Sequence, residues 1–267
     1  MKFLLLLIAP IVAVAEPVFL EKGGIVAIEA ESTSSRLSKW KKKTDVADFS
    51  GECHLEFTGN RPESGPPESP LKYQFTIKKA GIYQLSLRAR KRLETEREDI
   101  SNDCFVSLAG DFEQAGKAPL KILKEPTKMY GGNKDSWGWT TNLDVNHKKF
   151  PAEYLLQSGK TYTLTIHGRS QNFNLDRILF AHEDVGIRQA RKKNPKESEL
   201  SGGIKSSQII SPTERELTNK KGQTVLAKLV SKDGDKLIVI IKGRSHDLKI
   251  SELSQEDQEF IKEWQPK

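Results

Sequence analysis

The sequence predicts a mainly β protein in two parts: an antiparallel β-sandwich over residues 16–184 and a small barrel with a C-terminal helix over 212–267. Three observations carry this. From Val18 to about Glu183, short runs alternate apolar with polar residues and stop at Gly, Pro, Asn or Asp, with little that repeats at helical period. After Asp184 the chain turns charged and small, too poor in large apolar residues to offset chain entropy. Near Ser211 apolar-rich runs resume around an Asp-Gly pair and end in a helix-start signature.

The chain opens MKFLLLLIAPIVAVAEP, with one lysine, an apolar run from Phe3 to Val14 and the small-residue ending Ala13-Val14-Ala15. This predicts a cleaved signal peptide over 1–15 and a secreted or periplasmic location. The run is shorter than the ~20 residues of a helical membrane span. Glu16 rather than Cys follows the expected cut, which speaks against a lipid anchor, and no later segment is apolar enough to span a membrane.

In the sandwich the strand runs are Cys53–Phe57, Leu71–Ile77, Ile82–Ala89, Asp103–Leu108 and Tyr162–Ile166. KKAG at 78–81 and QSGK at 157–160 read as tight connections that place glycine where positive φ is easy. GNRPESGPPESP, Gly59–Pro70, reads as a loop because proline cannot donate to a ladder. Residues 185–211 read as a basic flexible linker that begins with a short helix. In the last part, strands over Val225–Val230 and Lys236–Ile241 meet across Ser231–Asp235, and a third covers Asp247–Ile250. Ser254 then caps a helix carrying Phe260, Ile261 and Trp264.

The formal net charge is +7, gathered at KWKKK (39–43), RARKR (88–92) and the linker. Such clusters suit acidic polysaccharide, anionic lipid or nucleic acid, or form a merely solvated face. Export removes nucleic acid from the partners. Cys53 and Cys104 are the two cysteines, and in an oxidising compartment they are a candidate disulfide, the alternative being two buried thiols. Without a CxxC or a His/Cys cluster, the sequence points away from a zinc site.

Glu29 and Glu31, in IEAE, place two carboxylates on one strand face, and Asp176 adds a third if the last strand lies beside the first. Three oxygen side chains begin a calcium site; the alternative is solvent-facing acids paired with lysines. DSWGWTT at 135–141 holds Trp137 and Trp139. An indole can stack on the apolar face of a sugar, with Asp135, Asn142 and Asn172 available as polar partners; the alternative is burial. Gly138 lets the rings part, so Trp137 at the loop tip is expected to be the platform and Trp139 to pack. No catalytic fingerprint stands out among the five scattered histidines and the acids, so no catalytic residue is assigned.

With IEAES, GECHLEFTGN, LKYQFTIKKAGIYQLSLRAR, NDCFVSL, SWGWTT and LQSGKTYTLTIHGRSQNFNLDRILF in order, residues 18–183 resemble the jelly-roll carbohydrate-binding modules of families six and thirty-five. The resemblance implies a structural calcium at Glu29, Glu31 and Asp176. It also implies a sugar cleft using Trp137, Trp139 and Asn172. The second stacking aromatic usual in the family has only Trp40 and Phe49 as candidates, and RKRLETEREDISND is longer and more charged than the pattern.

RELTNKKGQTVLAKLVSKDGDKLIVIIKGRSHDLKISELSQEDQEFIKEW resembles the first type of Sla homology domain, an SH3-like barrel, although Leu217 stands where an aromatic often follows the opening Arg. This implies a protein-interaction or surface-attachment module. Together the expectations describe an exported, non-catalytic protein that binds glycans, acidic ones included, and carries a C-terminal interaction module. The rival readings are an adaptor whose sandwich has lost sugar binding and an accessory subunit of a polysaccharide-degrading enzyme.

Overall fold

A computed structural model describes residues 17–92, 97, 99–201, 215–241 and 244–264. The expected signal peptide over 1–15 lies outside them. The chain divides into two compact units, one over Pro17–Ile209 and the other containing Ile210–Lys267.

The first unit is an antiparallel jelly-roll sandwich. In chain order its strands are β1 (Val18–Leu20), β2 (Ile25–Glu29), β3 (Trp40–Lys43), β4 (His54–Phe57), β5 (Glu68–Thr76), β6 (Gly81–Lys91), β7 (Asp103–Ala109), β8 (Glu113–Gln114), β9 (Thr127–Tyr130), β10 (Gly138–Thr140), β11 (Asn142–Val145), β12 (Lys148–Pro151), β13 (Glu153–Leu156), β14 (Thr161–Gly168) and β15 (Phe173–His182). One sheet runs β1-β5-β14-β7-β9-β11-β12, with β1 and β5 parallel. The other runs β3-β4-β15-β6-β13-β8, with β2 added to β15 and β10 to β6.

Period-two patterning explains which residues lie between the sheets. Leu71, Tyr73 and Phe75 of β5, Leu85 and Leu87 of β6, and Tyr162, Leu164 and Ile166 of β14 are buried in one core. Phe75 and Phe180 meet in it with centroids 4.5 Å apart. β15 departs from alternation, since all ten of its residues are buried. Its inward side chains Phe173, Leu175, Ile178 and Phe180 join the main core. The outward Leu179 and Ala181 pack in a second cluster with Ala27, Ala190 and Trp139. That cluster lies under the helix α2 (Ile187–Lys193), α1 (Leu120–Lys124) being a short helix between β8 and β9.

The expected linker over 185–211 therefore differs in its first half. α2 is docked, and the chain then runs beside β1 and β2: Ser198 N donates to Ala27 O at 2.8 Å and Leu20 N to Glu199 O at 2.8 Å. Polar groups, which carry no hydropathy signal, make most of these contacts.

The cysteines also depart from expectation. Cys53 and Cys104 are buried free thiols and form no disulfide. Cys104 lies on β7 of one sheet and Cys53 immediately before β4 of the other. Packed sheets stand about 10 Å apart, beyond the Cα separation of at most about 7 Å that a disulfide spans.

The second unit is a four-stranded antiparallel meander, β16 (Arg215–Thr218), β17 (Thr224–Asp233), β18 (Lys236–Ile241) and β19 (Arg244–Lys249). A register shift between Leu229 and Ser231 lets β17 pair with β16 by its first half and β18 by its second. Gly234, at φ 54°, makes the tight turn between β17 and β18. The helix α3 (Gln255–Glu263) is capped by Ser254, whose hydroxyl accepts from Asp257 N at 3.2 Å. Ile261 is buried among Leu217, Leu237 and Val239, with Phe260 and Trp264 packed against them.

Candidate functional site

β6 organises the site. Its inward residues Leu87 and Ala89 are core, so Arg88 and Arg90 project from the outer face of the sheet. On β15 a bulge between Leu175 and Arg177 inserts Asp176 opposite Arg88. β2 brings Glu29 beside Arg177. The loop between β3 and β4 closes over this corner.

Glu29, Glu31 and Asp176 do gather there. Ser50 N donates to Asp176 Oδ1 at 2.7 Å, and the Ser50 hydroxyl lies 2.6 Å from Glu29 Oε2 and 3.0 Å from Asp176 Oδ2. Glu31 Oε1 accepts from Glu52 N at 2.7 Å and Cys53 N at 3.3 Å. Arg177 Nε stands 3.1 Å from Glu29 Oε1, and Arg88 Nη1 2.5 Å from Asp176 Oδ2. Burial pushes the Glu31 carboxyl up to about 7 and raises that of Glu29, the latter against the Ser50 hydrogen bond.

These residues do not fit a calcium ion as they stand. Calcium takes six to eight oxygens, whereas four of the six carboxylate oxygens here accept hydrogen bonds, Glu29 Oε1 lies in an ion pair with Arg177, and Glu31 Oε2 has no hydrogen-bond partner. Two guanidinium groups supply the positive charge. No group of three or more His, Cys, Asp or Glu side chains among the described residues is placed to hold a metal.

Trp137 and Trp139 are both half-buried but sit differently. Trp139 pairs with Arg88 in the β10–β6 register and is covered by α2, with Arg191 Cζ 5.6 Å from its ring. Trp137 lies at the loop side of β10. Its indole N–H donates to Ala47 O at 2.8 Å, Arg88 Cζ stands 5.5 Å from its ring centroid, and the His54 ring meets it edge-on at 5.3 Å. Phe49 also packs on that histidine, with ring centroids 5.9 Å apart. Of the two candidates for a second aromatic, Phe49 thus shares His54 as a neighbour with Trp137. Trp40 is 1 % exposed, meets Phe57 at a tilt with centroids 5.1 Å apart and donates its N–H to Ser69 O, so it belongs to the core.

Asn172 is half-buried at the far end of the same face, in the left-handed region at φ 65°. Its N–H donates to Phe57 O at 2.7 Å and its carbonyl accepts from Arg92 N at 3.2 Å. Arg88 and Arg92, which mark the Trp137 and Asn172 ends, are separated by about 13 Å of strand. Asn142 lies in the opposite sheet.

Residues that the sequence did not single out fill the space between. Lys41, Glu56, Asn174 and Arg90 form one row across β3, β4, β15 and β6. Arg92 Nη1 reaches Glu56 at 2.8 Å and Asp45 at 2.7 Å. His54 is fully buried, 3.5 Å from Asp45, with neither ring nitrogen hydrogen-bonded; burial holds its pKa below the usual value. Only the clustering of KWKKK and RARKR pointed to this face.

Residues 18–187 match the family model described as glycosyl hydrolase family 115 C-terminal domain. Among solved structures, the chain is similar to a GH26-CBM35 beta-(1,4)-mannanase of Podospora anserina, at TM-score 0.39 and 14% identity, covering 61% of this chain and 28% of that one. It is also similar to a CBM35 from Paenibacillus barcinonensis, at 0.37 and 14%, covering 59% and 99%. A family 35 carbohydrate-binding module from Clostridium thermocellum is similar at 0.33 and 14%, covering 62% and 98%. No curated protein matches the chain. By the match over residues 18–187, the chain belongs to the glycosyl hydrolase family 115 C-terminal domain family.

Proposed function

We propose that the sandwich is a non-catalytic glycan-binding domain in which Trp137 is the stacking surface. The observation that carries this is a half-exposed indole locked in place on a polar, basic sheet face by Ala47 O and Arg88. An immobilised aromatic loses little entropy on binding, and a sugar's C–H face needs such a surface. Membership of a glycosyl hydrolase domain family supports a carbohydrate ligand. The strand length between Trp137 and Asn172 suits an oligosaccharide that touches both, and Lys43, Arg90 and Arg92 nearby suit one that carries negative charge. The three carboxylates at Glu29, Glu31 and Asp176 serve the fold on this reading rather than the chemistry.

For the C-terminal unit, the meander, its capped helix and the exposed Leu226 and Val230 of β17 support an SH3-like protein-interaction module. Export by the opening segment would place both units outside the cytoplasm; no helix among the described residues is long and apolar enough to cross a membrane.

Affinity-gel retardation on a panel of neutral and acidic polysaccharides tests the glycan reading. Retardation by the parent and its loss in Trp137→Ala is expected. If that variant is retarded like the parent on every ligand bound, the platform is elsewhere.

A further inference from the structure

We propose that Arg88 is an internal cation: it takes the place of a bound metal in the acidic corner and positions Trp137, so the platform is built without calcium. The inference concerns how the proposed platform is held and does not depend on which ligand it takes.

One guanidinium makes three contacts. Nη1 pairs with Asp176 Oδ2 at 2.5 Å, Nη2 donates to Asp48 O at 2.8 Å, and Cζ lies 5.5 Å from the centre of the Trp137 ring. The loop it grips is anchored at neighbouring points, since Ala47 O accepts from Trp137 and Ser50 N donates to Asp176. Asp48 between them is in the left-handed region at φ 62°, which a short polar side chain tolerates, and its carbonyl is turned to the Arg88 guanidinium. Asp176 has no exposed surface, so its charge requires a partner, and Arg88 is that partner. A planar fork that binds a carboxylate and a carbonyl at once, with a face left for an aromatic ring, is work a lysine cannot repeat.

The full chain is tested by thermal unfolding and tryptophan emission, each with excess calcium and with chelator. The wild-type Tm is expected to agree within ~2 °C between the two; a larger rise with calcium overturns the proposal. Arg88→Gln strands the Asp176 charge and should lower Tm by about 10 °C. Arg88→Lys keeps a charge and folds, yet should red-shift the emission that Trp137→Phe removes. The double variant Arg88→Gln/Asp176→Asn removes both charges and should recover most of the Tm while the emission stays shifted. Wild-type emission in the lysine variant, or in the double variant, overturns the positioning role. Glycan retardation is not read here, so these outcomes and those for the ligand fail independently.

Discussion

The His54 imidazole meets the Trp137 indole edge-on at 5.3 Å, and the histidine is fully buried with both ring nitrogens unbonded. Desolvation holds its pKa down against the pull of Asp45, Glu56 and Asp176, while Lys43, Arg88 and Arg92 add positive charge to the same corner. The folded state thus favours the neutral ring. Its contribution to stability is complete above the unfolded pKa of ~6.5 and is lost as pH falls through the lowered folded value. The wild-type Tm should drop on acidification from neutral pH more steeply than that of His54→Phe, with Trp137 emission quenched in step. Parallel Tm profiles for the two proteins would remove His54 from the account.

The two tryptophans should separate stability from binding. Trp139 fills the cluster of Ala27, Leu179, Ala181 and Ala190 under α2. Trp139→Ala should cost about 2–3 kcal/mol in urea unfolding and leave gel retardation intact below the transition. Trp137→Ala should do the reverse: under ~1 kcal/mol in stability and loss of retardation. A variant pair with the roles exchanged would mean that the half-buried state of each ring misidentifies the platform.

Gly51 tests how tightly the loop is closed on the acids. Its φ is 68°, and a Cβ built there would come within 2.2 Å of Glu31 Oε1 and 3.1 Å of Glu29 Cγ. Gly159 shares the conformation, at φ 76°, but its Cβ would meet nothing within 4 Å. Gly159→Ala should cost about 1 kcal/mol from backbone strain alone. Gly51→Ala should cost about 2–4 kcal/mol, the excess measuring displacement of the Glu31 carboxylate. Equal losses by chemical denaturation would show that the loop relaxes freely.

Both thiols should be silent in the native protein. Burial raises the Cys53 thiol to about 11, nearby Glu31 adding to it, and pushes Cys104 well above its usual value. Thiolate, the reactive form, is scarce at neutral pH. A thiol reagent should label neither cysteine in buffer and both in denaturant without prior reduction, and reductant should leave Tm unchanged. Denatured protein that reacts only after reduction would establish a disulfide in place of the free pair.

What was legible in the sequence follows from where each contact gets its energy. The strands with one face in the core, such as β5 and β14, announce themselves by alternation, and Ser254 announces α3 by its cap. β15 breaks alternation because α2 and β2 cover its outer face, so its pattern alone could not locate the partner. Glu29, Glu31 and Asp176 lie at one corner, yet of the two arginines that neutralise two of them Arg88 reads as an ordinary member of a basic run and Arg177 as a lone charge in an apolar strand. A bulge on β15 decides that pairing, and no local signal marks it. The cysteines failed for the converse reason: two strand-borne thiols look equivalent in sequence, while sheet membership sets their separation.

Proteolysis tests how firmly α2 and the stretch after it are held. Read by composition, residues 185–211 are a basic flexible linker that begins with a short helix, and 188–196 holds five trypsin sites. In the structure Arg177 reaches Asn194 Oδ1 at 2.8 Å, Ala27 N donates to Ser198 Oγ at 3.0 Å, Glu29 N donates to Glu197 Oε1 at 2.9 Å, and Leu200 is 4 % exposed against the main core. Cleavage requires an extended backbone, so these sites become available only when the segment detaches. Native trypsin digestion should spare 188–196 at protease levels that cut the urea-unfolded chain at once. Leu200→Ala removes a buried side chain worth about 2–3 kcal/mol and should raise cutting there by ~10-fold or more. Rapid native cleavage within 188–196 in the parent would return the segment to the linker that its composition suggests.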